Sequence, residues 1–138
     1  NNTLVTIYGS IQNPFSCRSA VASVLKVPLN KVRIIQNHMG GSFGGKDEVM
    51  SSMAARAAIL ALKTERPVKM VNTRDESVLE SYKRHPYKMK YKVGATQEGK
   101  LVAMEIKCLA DSGAYACQTP FVTWRSVVHH RLSLPRNH

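Results

Sequence analysis

The chain has 138 residues, 43% of them hydrophobic, with 20 lysines and arginines against 9 acids and a formal net charge of +11. That length builds one core rather than two, and no apolar run approaches the ~18 residues of a membrane helix. Three cysteines, none spaced as C-x2-C, argue against a disulfide framework or a zinc site and fit reduced thiols in the cytoplasm. The charge would attract nucleic acid, an anionic cofactor or an acidic partner, unless balancing acids lie elsewhere in a longer polypeptide. The first residues carry neither a basic nor an apolar leader region, so no signal peptide is expected. They open on a strand pattern, as a piece of a longer polypeptide would.

Leu4-Val5-Thr6-Ile7-Tyr8 alternates and ends at Gly9, which predicts a strand. Asn13-Pro14 predicts a turn. Ser16 is expected to cap a helix through about Lys26, with Val21, Val24 and Leu25 on one face and Pro28 beyond its end. KVRIIQ, residues 31–36, reads as a strand, and a glycine-rich loop follows. From Asp47 to Lys63, Met50, Met53, Ala54, Ala57, Ala58, Ala61 and Leu62 recur at helical spacing. That Ala-rich face suits close packing, and its methionines read as core rather than a soft-metal box.

RPVKMVN, residues 66–72, predicts a short strand, and residues 74–81 one or two helical turns. YKMKYKV then alternates: Lys88, Lys90 and Lys92 point one way, and Tyr87, Met89, Tyr91 and Val93 the other. This predicts a strand with one wet face and one core face. A turn at Gly99 and an antiparallel return over 101–111 complete a hairpin. A final helix is expected over Val122–His129. The order implies an α+β fold, a mixed or antiparallel sheet with helices packed on it, in a single domain over 1–138.

The loop HMGGSFGGKDE, residues 38–48, carries the densest signal. Gly40 to Lys46 fits G-x4-G-K, most of a phosphate-binding loop. The next residue should be a hydroxyl that holds magnesium. Asp47 and Glu48 stand there instead, and Phe43 is foreign to a nucleotide cradle. G-x-G-x-x-G fails in every frame. The loop still joins a strand to a helix, so free N–H groups gather near that helix start, and both acids suit its dipole. On the residues alone, a plain glycine turn with capping acids stays open.

The motifs IQNP, MGGSFGGKDE, RPVKM, TRDE and KRHPYKMKYKVGATQEGKLVAMEI, in that order, resemble the molybdenum hydroxylase family of xanthine dehydrogenase and aldehyde oxidase, over about Thr6 to His129. The resemblance implies part of the molybdopterin-binding region of a large subunit. Such enzymes hydroxylate an aldehyde or N-heterocycle carbon with oxygen from water. Electrons pass to molybdenum held by molybdopterin, then to Fe–S clusters and commonly FAD on other domains or subunits. It implies that Gln12 lies beside the metal centre, where an amide offers donors and an acceptor without added charge. It implies that Phe43 and Gly44 lay their backbone against the cofactor, where glycine permits close approach.

Asp47 matches a substrate-contacting glutamate but is shorter by about 1.5 Å of reach. Arg125, in VTWRSVVH, falls where xanthine-type members face substrate with an arginine, a charge suited to a heterocycle oxygen. Ser42 stands where the family often has glycine, at a cost on the order of 1 kcal/mol if that position needs positive φ. The tail, residues 130–138, departs from the pattern. No residue here matches the family's general-base glutamate, so no catalytic residue and no protein metal ligand is assigned. The expected partners are the remaining large-subunit segments, Fe–S and flavin subunits or domains, and a small-molecule substrate, with no membrane.

The resemblance competes with a small basic module that binds nucleic acid. YKRHPYKMKYK interleaves tyrosines with basic residues, but puts tyrosines and lysines on opposite strand faces, which disfavours a stacking platform. An inert remnant that keeps the fold without a ligand is a third reading.

Overall fold

The computed structural model describes residues 4–129; the atypical tail lies outside the described residues. The chain divides into two compact units, Asn1–Tyr82 and Lys83–His138, each described here by itself. The class is α+β, with parallel and antiparallel pairing in two separate two-stranded sheets. No described helix is long and apolar enough to cross a membrane.

In the first unit, β1 (Val5–Gly9) pairs in parallel with β2 (Val32–Gln36), from Val5↔Val32 to Gly9↔Gln36. Parallel neighbours require a crossover, and α1 (Pro14–Leu25) supplies it. Asn13, not Ser16, caps this helix: the Asn13 side chain accepts from the Ser16 amide at 3.2 Å. Pro14 then occupies the first helical position, where its missing N–H is no loss. The helix ends as Lys26 turns left-handed (φ 54°), with the Val27 N–H donating to Ala22 at 3.0 Å. A 3-10 turn, Leu29–Lys31, leads into β2. Arg18 fastens this connection by donating to the carbonyls of Leu29 and Val32 at 2.8–3.0 Å.

The Ala-rich helix, α2 (Glu48–Thr64), buries Ala54, Ala55 and Ala58 in one cluster with Ile11, Cys17, Val21, Ala22 and Val32. Alanines let α2 come close to α1, and Met50 packs against the same cluster as ordinary core. Residues 66–72 are not a strand. Val68, Met70 and Val71 have the composition, but propensity alone makes no strand without a partner backbone. α3 (Arg74–Glu80) begins with a capping box, Thr73 and Glu76 each holding the other's amide. Glu80 pairs with Arg56 and accepts from Asn72 at 2.9 Å, and these bonds hold its carboxyl below the usual range.

In the second unit, β3 (Tyr87–Ala95) pairs antiparallel with β4 (Leu101–Ala110) around Gly99, which sits at φ 82°. The faces alternate as expected, but the second is not a core face. Met89, Tyr91 and Val93 are each about half exposed, at 51%, 52% and 50%. α4 starts earlier than expected, at Thr119, and runs to His129.

Two measurements test this packing. Ala58→Leu should lower the unfolding free energy by ~1–3 kcal/mol in a denaturant melt, because the close α1–α2 contact has no room for three added carbons. The exposed Ser52→Leu should move it by under ~0.5 kcal/mol. An A58L chain as stable as the parent would contradict the contact. Cys17 is fully buried, whereas Cys108 and Cys117 are exposed. Burial pushes the Cys17 thiol above its ordinary range, and a Ser51 hydrogen bond opposes this in part. The folded state thus favours the protonated thiol: its stabilisation is complete below the unfolded pKa, about 8.5, and is lost as pH rises through the folded value. At pH ~8 a thiol reagent should label Cys108 and Cys117 promptly and Cys17 only after denaturation; prompt labelling of all three would contradict its burial.

Candidate functional site

The last β1–β2 pair is Gly9↔Gln36, so the chain leaves both strands side by side at their carboxyl ends. In parallel α/β arrangements this is where loops form ligand crevices. Here the two loops are residues 10–13 and 37–47. Two bonds join them, the Ser10 hydroxyl donating to the His38 carbonyl at 3.3 Å and the Gln12 N–H to the Lys46 carbonyl at 2.7 Å, while the Asn37 N–H donates to the Gly9 carbonyl at the end of β1 at 3.0 Å. Ile11, 1% exposed, plugs the core between them and leaves Gln12 exposed. An open cavity of about 500 Å³ beside the strand ends is lined by Gln36, Asn37 and His38.

The glycine loop is a tight turn built on Ser42. Its carbonyl accepts from Gly45 N–H at 2.9 Å and its hydroxyl from Lys46 N–H at 3.3 Å. Positive φ falls not on Ser42 but on Phe43 (49°) and Gly44 (85°). Serine therefore escapes the expected backbone cost, and its hydroxyl serves the turn. An aromatic residue in the left-handed region is an outlier. Phe43 is also fully exposed, so it is not a core plug. Its ring lies over Gly41, where a Cβ would come within 2.5 Å of it. The position of a Cβ on Gly44 has no heavy atom within 4 Å, so the loop presents open backbone there.

Asp47 occupies the N-cap position of α2 without capping it through its side chain; its carbonyl accepts from Met50 N–H at 3.0 Å. Glu48 lies in the first turn, on the favourable side of the helix dipole. Gln12, Phe43, Gly44 and Asp47 thus gather on two joined loops of one unit. Arg125 belongs to the other unit. There it is exposed on α4, its guanidinium 4.5 Å from the centroid of the Phe121 ring, which lies 6.1 Å from that of Trp124. Among the described residues, no three His, Cys, Asp or Glu side chains cluster as metal ligands. Ser10, Asn37 and His38 were given no role from sequence, although their position just after two strand ends is a signal that could have marked them.

Residues 1–133 match the molybdopterin cofactor-binding domain family. The chain is 45% identical to the nicotinate dehydrogenase large molybdopterin subunit of Eubacterium barkeri, over 94% of this chain and 30% of that protein. It is 46% identical to a probable xanthine dehydrogenase subunit of Bacillus subtilis (strain 168), over 90% of this chain and 16% of that one. Against the xanthine dehydrogenase of Emericella nidulans it is 39% identical, over 89% of this chain and 9% of the enzyme. The chain spans less than a third of each relative. The chain belongs to the molybdopterin cofactor-binding domain family of the molybdenum hydroxylases.

Proposed function

We propose that this chain is part of the large subunit of a molybdenum-dependent dehydrogenase or oxidase acting on an N-heterocycle or aldehyde, and that its joined loops hold the molybdopterin. The bond from Gln12 N–H to the Lys46 carbonyl is the observation that supports the reading most, because it joins the loop that carries Gln12 to the loop that carries Phe43 and Gly44. The residues fit such a group: Gly44 at φ 85° faces open space, and a side chain there would fill it. When bound, the cofactor supplies the two-electron redox chemistry. Gln12 orients it through a neutral amide, Gly44 admits it to backbone distance, and the Phe43 ring shields it from water. Backbone strain at Phe43 is in keeping with a ligand-facing position.

Asp47 and Arg125 contact the substrate, the carboxylate as acceptor and the guanidinium as donor and charge. Oxygen from water, a general-base glutamate in another segment, and Fe–S and FAD centres on other domains or subunits complete the reaction in the cytoplasm. This chain alone turns nothing over, because the base and the cofactor pocket have to be present together.

Two tests follow from these roles. In the complete protein, Gly44→Ala should stay folded, with a stability loss on the order of 1 kcal/mol from its backbone angle. Its molybdenum and pterin content should fall ~tenfold or more, since a Cβ blocks a backbone contact worth ~1–2 kcal/mol. A folded variant with a full complement would remove Gly44 from the cofactor site. The 138-residue chain, purified from cells that make the cofactor, should carry molybdenum far below one atom per chain by elemental analysis. Near-stoichiometric metal would show instead that it closes the site unaided.

A further inference from the structure

None of the candidates Gln12, Phe43, Gly44 and Asp47 lies on the hairpin, one face of which is built on lysines. On β3 this face carries Lys88, Lys90 and Lys92, all exposed. On β4 the residues opposite them are Leu109, Lys107 and Glu105. Lys90 therefore stands directly across from Lys107, and like charges so placed destabilise a sheet. Only one acid, Glu105, answers four lysines on this face, and it pairs with Lys107 at 3.0 Å. Among the described residues Lys88, Lys90 and Lys92 have no ion-pair partner. An open cavity of about 530 Å³ lies along Lys88, Lys90 and Lys107.

Lysines on an exposed strand also discourage aggregation. That purpose is met by Lys88 and Lys92 and gives no reason to set Lys90 against Lys107. Glu105 answers Lys107, and among the described residues no second acid on this face answers Lys90, although the register leaves Leu109 opposite Lys88 where an acid could stand.

We propose that this face is a docking surface for an extended acidic protein segment. Alternate lysines on a strand repeat at about 6.7 Å, the spacing at which an extended chain presents alternate carboxylates. Charge complementarity of this kind sets register and partner choice. Tyr87 and Tyr91 lie on the opposite face, so bases would find no stacking surface among the lysines, which favours protein over nucleic acid.

The test uses the full chain, at low salt because exposed pairs are screened. Two fluorescent decapeptides serve as probes: one alternating Glu and Thr, the other a block isomer with its glutamates at one end. The alternating peptide should bind severalfold tighter. The double variant Lys90→Glu/Lys107→Glu should weaken it by at least ~tenfold, the loss of two charge pairs and the gain of two repulsions. Lys63→Glu/Lys69→Glu, with the same net charge, should change it by less than ~twofold, the effect of net charge alone. Lys90→Glu alone should leave the melting temperature equal or higher while weakening the peptide. Equal binding of the two isomers, an equal loss in the control variant, or tighter binding of oligothymidylate than of the alternating peptide would each overturn the proposal.

Discussion

The bond from the Gln12 backbone N–H to the Lys46 carbonyl spans 34 positions of sequence and, with that from Ser10 to His38, ties the two loops together. It depends in turn on the parallel β1–β2 register. With Gly9 level with Gln36, the following segments leave the sheet at the same height. Burial of Ile11 one residue before Gln12 anchors the first loop, and packing of Met50 against the same core anchors the start of α2. A one-residue slip in the register would send alternate side chains to the wrong face and carry Gln12 away from the glycine turn. The core of the first unit, built on small and β-branched residues, thus positions the loops more than it shapes a pocket.

Within that frame the loop is held against local preference. Ser42 closes the turn through both its carbonyl and its hydroxyl, and this forces Phe43 into a left-handed conformation. A smaller residue would meet that demand at less cost. Keeping an exposed aromatic there is a conflict between local propensity and structure, and such conflicts collect where function imposes them. Gly44 differs because its positive φ is conformationally cheap. The pair joins one strained, exposed side chain to one unobstructed backbone unit.

Most elements were legible because their hydrophobic periods are clean. The Val5–Gly9 alternation, the alanine spacing of α2 and the lysine-tyrosine alternation of β3 each appear in the structure close to where the sequence puts them. Residues 66–72 were misread because strand composition says nothing about whether a partner strand is in reach. The helix cap was misread by three residues, because Asn13 and Ser16 are both good caps and Pro14 decides between them. The loop glycines were legible as a bare backbone, but the left-handed angle at Phe43 was not, since no aromatic preference predicts it. Gln12 and Asp47 became candidates through motif order rather than local pattern. Arg125 rests on that likeness too, and what the structure adds is its stacking over Phe121.

The same limits explain the hairpin. Alternation showed that the lysines share a face, and the register shows what opposes them. Sequence reading assigned the other face to a core. The half-exposed Met89, Tyr91 and Val93 show that apolar character gives a residue a side of the sheet without giving that side a cover. A two-stranded ribbon is marginal by itself, so a like-charge pair across it is an expense the fold can least absorb. The chain's +11 charge is accordingly not a uniform property of its surface. Its sharpest expression is the Lys90–Lys107 pair, where the cost to the hairpin is local and the attraction for an acidic segment is local as well.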